Sequence, residues 1–244
     1  MTYQSIWNDL TRSLARFPRR RDPSKDCYAQ CGEDMIINHI LCGLQLDAAN
    51  LRYLDIGTND PRNMNNTYSL YLQGACGVCV EPNPLLIEKI RRHRPNDTCL
   101  NVGIGKDAAS CATFHVLNPH TLSTFSADEA KRLSQIGSTS VEEVIEIPLM
   151  SLQQLVTDYC DGDLTVVSLD IEGDELGILE QFDFDQCRPV VWCVETLSYE
   201  EDGSEEKCSM TRELFKRNDY LLYADTYVNS LFVDANSWQT RYGA

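Results

Sequence analysis

The chain alternates short apolar runs with segments in which apolar residues recur every three to four positions. The first pattern is typical of buried strands and the second of amphipathic helices. Strands are predicted at residues 51–56, 76–81, 97–102, 163–169 and 189–195. Helices are predicted between them, for example at residues 83–93 and 174–182. Strands separated by helices of this length form βαβ units, which indicates a parallel sheet.

Two helices are predicted before the first strand, at residues 1–17, where Pro18 ends the pattern, and at residues 32–46. The first of them carries the basic stretch "RFPRRRDPSK". We therefore predict a basic helical arm over residues 1–26 and a single domain over residues 27–244.

Two regions depart from the alternation of strand and helix. Residues 107–150 predict an insertion, in which two extra strands flank a short helix at residues 126–133. Residues 219–235 predict a strand pair with its turn at or just before Asn229, which would close the parallel sheet with an antiparallel hairpin.

The charge and composition of the chain disfavour several classes of binding partner and location. A formal net charge of −16 disfavours sequence-independent binding of nucleic acid, because phosphate neutralisation requires clustered basic residues. No apolar stretch approaches the ~18 residues of a membrane span, and no signal peptide is evident, so we expect a cytoplasmic protein. The 11 cysteines are scattered and are interpreted as reduced, buried thiols, with a zinc site at Cys27/Cys31 or Cys76/Cys79 as the less favoured alternative.

Acidic residues stand at the ends of four predicted strands: Asp55, Glu81, Asp170 and Glu195. Because ligands of open α/β sheets bind beyond the carboxyl ends of the strands, these carboxylates should face one crevice. The spacing from Asp55 to Glu81 is one βαβ repeat, which is where an acid that binds ribose hydroxyls is expected. The pattern therefore predicts a cofactor that contains a nucleoside.

The loop after the first strand, "DIGTNDPRN", distinguishes between such cofactors. It lacks the G-x-G-x-x-G pattern of dinucleotide sites, and its two aspartates would repel a pyrophosphate. S-adenosylmethionine has no phosphate and carries an ammonium and a sulfonium, both of which suit carboxylates. The alternative, that Asp55 only caps the next helix, leaves Glu81 unexplained.

Four stretches in order, "YAQCGEDMIINHIL", "YLDIGTNDPRNMNNTYSLYLQGACGVCVEPNP", "VVSLDIEGDELGIL" and "VWCVET", resemble the FkbM-type S-adenosylmethionine-dependent methyltransferases. The resemblance spans about residues 27–233. It departs from the family pattern at Pro61, where Gly is usual, and at Cys31.

The resemblance implies a Rossmann-like class I methyltransferase fold: a seven-stranded, mostly parallel sheet with an antiparallel C-terminal hairpin and helices on both faces. It also implies O-methylation of a small-molecule hydroxyl, on a sugar or a natural product. Glu81 would hold the ribose. The other cofactor-binding residues implied are Asp55, Gly57 and Asn59 near the methionine part, Pro82, Asn83 and Gly103 near adenine, and Gln30 before the sheet, which either covers the cofactor or belongs to a helix cap.

The expected chemical centre combines Asp170, Glu172 and Glu195. Carboxylates that lie together need a cation or a shared proton, so one hypothesis is a Mg²⁺ or Mn²⁺ site that activates the acceptor hydroxyl. The competing hypothesis is a metal-free general base, either Asp170 or His120. Glu172 or Asp174 could instead cap the following helix. A second function class stays open, namely a non-catalytic cofactor-binding module or partner subunit.

Overall fold

The computed structural model describes residues 26–106, 111–135, 139–160, 164–171, 173–199 and 205–242. The predicted helix at residues 1–17 and nearly all of the basic arm lie outside these ranges. Twelve strands are described: β1 (Arg52–Ile56), β2 (Cys76–Val80), β3 (Thr98–Leu100), β4 (Gly103–Ile104), β5 (Cys111–Asn118), β6 (Ser140–Met150), β7 (Val166–Leu169), β8 (Val191–Glu195), β9 (Leu197–Tyr199), β10 (Glu205–Lys207), β11 (Tyr220–Asp225) and β12 (Asn229–Asp234).

The described α-helices are α1 (Glu33–Gly43), α2 (Tyr68–Leu72), α3 (Pro84–His93), α4 (Ala127–Ser134), α5 (Leu152–Tyr159), α6 (Glu175–Leu179), α7 (Ser209–Arg217) and α8 (Ala235–Thr240). Short 3₁₀ turns occur at Ala48–Asn50 and His120–Leu122. The longest of these helices, α1, has 11 residues, whereas a membrane span needs about 20. No helix in the described part of the chain is long and apolar enough to cross a membrane.

Seven strands form the main sheet in the order β11-β12-β8-β7-β1-β2-β3. β12 is antiparallel to both of its neighbours, and the other neighbouring strands pair in parallel. The predicted fold class is confirmed, including the C-terminal hairpin, whose turn lies just before Asn229. The reversed strand β12 is internal, and β11 forms the edge. The strand order changes direction beside β1, which places the switch point between β1 and β7.

Apolar side chains cover both faces of this sheet, because successive strand residues point to opposite sides. On one face, residues such as Tyr53 and Cys193 pack against Ile37 and Ile40 of α1 and against residues of α2 and α3. On the other face, Trp192 and its neighbours pack against residues of α5, α6 and α7. The sheet is therefore sandwiched between two helical layers.

The insertion contains the predicted elements, since β5 and β6 pair antiparallel around α4. Phe114, Val116 and Ile147 form a small separate core there. The third strand is shorter than the predicted 97–102, because the chain then leaves the main sheet and pairs Gly103 and Ile104 with the end of β6. The insertion is thus anchored directly beyond the carboxyl end of β3.

Candidate active site

Acidic and amide side chains line the carboxyl edge of the main sheet. Asp55 and Glu195 lie in their strands two residues after Tyr53 and Cys193, so they project toward the α1 face of the sheet. Asn229, which opens β12, pairs directly with Glu195. Asp170 follows β7, whose last residue Leu169 pairs with the residue before Glu195. The predicted meeting of strand-end carboxylates at the switch point is therefore present.

Asp55 is buried, with 3% of its surface exposed. Its Oδ2 atom takes part in hydrogen bonds and an ion pair inside the protein. This oxygen accepts hydrogen bonds from Thr67 Oγ1 at 2.7 Å and from Asn65 Nδ2 at 3.1 Å. It also lies 3.3 Å from a guanidinium nitrogen of Arg94. The sequence analysis placed Asp55 beside the methionine part of the cofactor and did not foresee that a buried arginine balances its charge.

Arg94, which follows α3 directly, is fully buried and has partners on several segments. Its Nε donates to the carbonyl of Pro61 at 3.0 Å, and its guanidinium contacts Thr67 and the Asp97 carboxylate. Burial alone would lower the pKa of Arg94, but Cys79, Asp55 and other neighbours raise it above its ordinary value. Arg94 therefore ties the loop after β1 to the end of α3. The sequence analysis missed this residue.

Glu81 lies immediately after β2 and is 5% exposed. One carboxylate oxygen accepts the Asn83 N–H at 2.8 Å and the other accepts the Asn59 N–H at 2.9 Å. Burial raises the pKa of Glu81 to about 7, against these two hydrogen bonds, and the charges of Asp55 and Asp170 add to the increase. The carboxyl group is thus rigidly held at the position predicted for ribose binding.

The loop after β1 adopts a backbone conformation that requires glycine at position 57. Gly57 has φ +77°, and a Cβ built on it would lie 1.6 Å from the Asp170 carbonyl oxygen. Asn59 also has a positive φ, of 52°, which turns its N–H toward Glu81. Gly57 therefore permits the close approach of the β1 and β7 ends, which places Asp170 beside the first loop.

Asp170 accepts a hydrogen bond from the carboxyl group of Glu195. Burial raises the pKa of Asp170 to about 6, the hydrogen bond from Glu195 opposes this increase, and the charges of Asp55 and Glu33 add to it. Glu195 is 8% exposed. Two carboxyl groups in hydrogen-bonding contact share a proton, so this pair can both hold and accept one.

Glu33, at the start of α1, lies against the same edge and is fully buried. Its Oε1 accepts hydrogen bonds from Thr226 Oγ1 at 2.6 Å and from Asn229 Nδ2 at 3.1 Å, while its Oε2 accepts the Cys31 N–H at 2.8 Å. Neither Glu33 nor Asn229 was among the predicted site residues. The acid-rich start of the predicted helix at residues 32–46 was the available signal for Glu33.

The residues predicted near adenine have mixed surroundings. Asn83 caps α3 by accepting the Leu85 N–H at 3.0 Å, and its buried Nδ2 has no hydrogen-bond partner in the described part of the chain. Pro82, which is partly buried, accepts a hydrogen bond from Asn101 Nδ2 at 2.8 Å through its carbonyl. Gly103 is covered by the insertion, since a Cβ there would lie 2.5 Å from the Phe125 ring. Phe125 therefore lies beside Gly103, in the region where we predicted adenine to bind.

Two predicted positions remain: His120, which opens a short 3₁₀ turn, and Gln30, which precedes α1. His120 is partly buried, and its Nδ1 hydrogen-bonds the Leu117 carbonyl of its own loop at 3.0 Å. Gln30 is exposed before α1. Asp174 caps α6 by accepting the Gly177 N–H at 3.0 Å, as the capping alternative predicted.

The expected metal centre is not supported by the described residues. Glu172 lies outside them, and they contain no group of three or more His, Cys, Asp or Glu side chains arranged to hold a metal ion.

Comparison with known protein families agrees with this geometry. A family model described as the methyltransferase FkbM domain matches residues 55–222, which is more than half of the chain. The chain belongs to the FkbM methyltransferase family. This membership confirms the resemblance carried by the strand-end motifs and assigns the chain to methyltransferases that use S-adenosylmethionine, acting on a small-molecule acceptor.

Similar solved structures include two methyltransferases. One is a TehB-like SAM-dependent methyltransferase from Corynebacterium glutamicum, with a TM-score of 0.41 and 10% identity over 94% of this chain and 97% of that chain. The other is the methyltransferase FkbM from Methylobacillus flagellatus, with a TM-score of 0.41 and 11% identity. The match covers 93% of the present chain and 60% of the Methylobacillus chain. No curated protein sequence matches the chain.

Proposed function

We propose that this FkbM-family protein transfers the methyl group of S-adenosylmethionine to a hydroxyl of a sugar or natural product, and that Asp170 accepts the hydroxyl proton. The observation that supports this proposal is the hydrogen-bonded pair of Asp170 and Glu195 at the switch point. A protein that only bound the cofactor would have no need of this pair beside the site of Glu81.

The residues around Glu81 suit the cofactor. Each Glu81 oxygen accepts one backbone N–H and keeps acceptor capacity for a ribose hydroxyl. The buried Nδ2 of Asn83, which has no partner in the described part of the chain, is a donor available to the adenosine portion. When bound, S-adenosylmethionine supplies an electrophilic methyl group on a sulfonium. The carboxyl groups of Asp170 and Glu195 at this edge would complement that positive charge.

The chemistry assigned to Asp170 follows from its pKa of about 6. At neutral pH the carboxylate is largely free of its proton, yet it is more basic than an exposed aspartate, which suits general-base catalysis. Glu195 orients it by the hydrogen bond between them. We further propose that Gly57 and Asn59 border the methionine part of the cofactor, that Pro82 and Gly103 border adenine, and that the acceptor approaches over β7 and β8.

Isothermal titration calorimetry tests the cofactor half of this proposal. S-adenosylmethionine and S-adenosylhomocysteine are expected to bind and NAD is not. Glu81→Gln should weaken both by at least about tenfold, because the hydroxyl donors then meet a neutral amide instead of a carboxylate. Glu88→Gln, on the exposed face of α3, is the matched control and should leave the affinity unchanged. NAD binding in the absence of S-adenosylmethionine binding would refute the proposal.

A methyl-transfer screen tests the catalytic half. Sugars and hydroxylated natural products are incubated with radiolabelled S-adenosylmethionine, with and without a chelator. Transfer to oxygen that persists in the chelator supports the Asp170 base. Transfer to nitrogen or carbon contradicts the proposed acceptor atom, and cofactor binding without transfer to any hydroxyl favours a non-catalytic binding module.

A further inference from the structure

A second polar group lies beside the proposed base, on the side away from the cofactor loop. Asp170, Glu195 and Asn229 follow one another across β7, β8 and β12, and Glu33 of α1 covers this row. Within the described part of the chain, neither Asp170 nor Glu33 forms an ion pair with a lysine or arginine. This row therefore brings buried carboxyl groups together without a basic side chain, among the described residues, on Asp170 or Glu33.

Asn229 provides an independent sign that a ligand belongs here. Its side chain is 2% exposed, and its Nδ2 donates to the Glu33 carboxylate. Because a carboxylate only accepts hydrogen bonds, this contact fixes the amide orientation and turns Oδ1 away from Glu33. Oδ1 is buried and has no hydrogen-bond partner in the described part of the chain. A buried carbonyl oxygen without a partner is costly, and such groups in folded proteins are usually satisfied by a ligand or water.

We infer that Asn229 Oδ1, beside Glu195 on the neighbouring strand, binds an ammonium group of the methyl acceptor, while Glu33 fixes the orientation of the Asn229 amide. An ammonium has three donors and no acceptor, which matches an amide oxygen that lacks a donor and lies among carboxyl oxygens. Glu195 and Asn229 lie on β8 and β12, whereas the proposed cofactor contacts centre on β1 and β2. The ammonium site therefore faces the acceptor and not the methionine end of the cofactor. The acceptor would then be an amino alcohol, such as an amino sugar. This inference rests on the proposed function and names its substrate class.

The strand spacing constrains where the amine stands on the acceptor. Neighbouring strands lie about 4.8 Å apart, so a group over β8 and β12 is about 5 to 10 Å from Asp170 over β7. An amine and a hydroxyl on the same sugar ring bridge such a distance, because each adds a hydrogen bond of about 2.8 Å to its protein partner. A bound ammonium near Asp170 also favours the carboxylate form of the base, because an opposite charge stabilises it. Recognition of the acceptor and activation of its hydroxyl are thereby coupled.

The test measures acceptor binding to the protein saturated with S-adenosylhomocysteine, at about pH 6.5, where the amines are protonated. Three matched pairs are titrated: glucosamine and glucose, galactosamine and galactose, and 2-aminocyclohexanol and 1,2-cyclohexanediol. We expect at least one amine to bind about tenfold or more tightly than its neutral partner, and N-acetylglucosamine to lose this advantage. Equal binding within all pairs, or no binding of any amine in the millimolar range, overturns the inference.

Two variants separate recognition from folding. Asn229→Leu removes Oδ1 and should reduce the preference for the amine to less than about threefold. Thr226→Val removes the other hydrogen-bond donor to Glu33 Oε1 but keeps Oδ1, so it should retain the preference. Loss of the preference in both variants would assign it to Glu33 alone and contradict the role of Asn229. If S-adenosylhomocysteine itself fails to bind the wild-type protein, the proposed function fails; if it binds and the amine preference is absent, only this inference fails.

Discussion

Two groups of buried carboxylates at the main sheet differ in what surrounds them. Near β1 and β2, Asp55 and Asp97 share the fully buried guanidinium of Arg94. Near β7 and β8, Asp170 has a second carboxyl group, Glu195, as its partner. The first arrangement cancels charge inside the fold, and the second concentrates it. Buried acids of the same type are therefore neutralised by a cation in one place and paired with another acid in the other, and we propose a chemical role only for the second.

The comparison predicts that the largest effect on stability comes from Arg94. Arg94→Leu should lower the free energy of unfolding by about 3–5 kcal/mol, because it leaves the buried Asp55 and Asp97 carboxylates without their cation. Chemical denaturation measures this loss. Arg92→Leu, on the exposed side of the same helix end, should change the free energy by no more than about 0.5 kcal/mol. A loss below about 1 kcal/mol in Arg94→Leu would show that the pairing is not needed for stability.

Asp170→Asn should have the largest effect on catalysis and little effect on the fold. We expect kcat to fall by about a hundredfold or more, with cofactor affinity retained. In the wild type, kcat should rise with pH through about 6, because the protonated form of Asp170 cannot accept a proton. The variant should lose this rise. The measurement is a pH series of initial rates, and an unchanged profile in Asp170→Asn would assign the ionisation to another group.

Glu175 extends the comparison to a buried acid that holds the loop after Asp170. Its Oε1 accepts the N–H groups of Ile171 and Gly173, and burial raises its pKa from 4.5 to about 7. Because the folded-state pKa is raised, the stability contributed by its proton is complete below pH 4.5 and is lost as the pH rises through about 7.

Glu175→Gln removes the cost of burying an ionised carboxylate at this position and keeps an oxygen that can accept the two N–H groups. The variant should therefore be more stable than the wild type by up to about 2 kcal/mol at about pH 8 and nearly equal to it at about pH 5. Denaturant melts at the two pH values measure the difference. A variant that is less stable than the wild type at the higher pH would contradict the assignment of Glu175 as a strained, buried acid.

Asp174 is expected to show the smallest effect. It is exposed, caps α6 through Gly177 and forms an ion pair with Lys106. Asp174→Ala should cost about 1 kcal/mol of stability through loss of the cap and should leave kcat unchanged. Thermal melts and initial rates check both parts. A marked fall in kcat would move the chemical centre from the end of β7 into the loop that follows it.

The strand ends could be predicted because short apolar runs stop where a carboxylate begins. Glu81 and Asp170 both follow such runs, and the observed strands end at Val80 and Leu169, directly before them. The N-terminal cap formed by Asp174 was also accessible, since it depends on a contact only three residues away. Local periodicity and local hydrogen bonding are encoded within short segments.

The charge compensation could not be predicted, because it depends on contacts between distant segments. Arg94 reaches Asp55 across 39 residues, and in the sequence it looks like one of several solvated basic residues at a helix end. Glu33 and Asn229 are 196 residues apart. The short β4 likewise exists only because β6 returns to pair with it. Such contacts are fixed by the packed fold and leave no periodic signal.

The reversed strand β12 has a consequence for synthesis on the ribosome. It is the last of the seven sheet strands to be made, yet it lies inside the sheet between β8 and β11 and supplies Asn229. A nascent chain that has emerged only as far as β11 can pair β1, β2, β3, β7 and β8, but β11 has no neighbour to join. The edge of β8 stays open until β12 is released, so the acceptor side of the site is assembled only at the end of translation of the sheet.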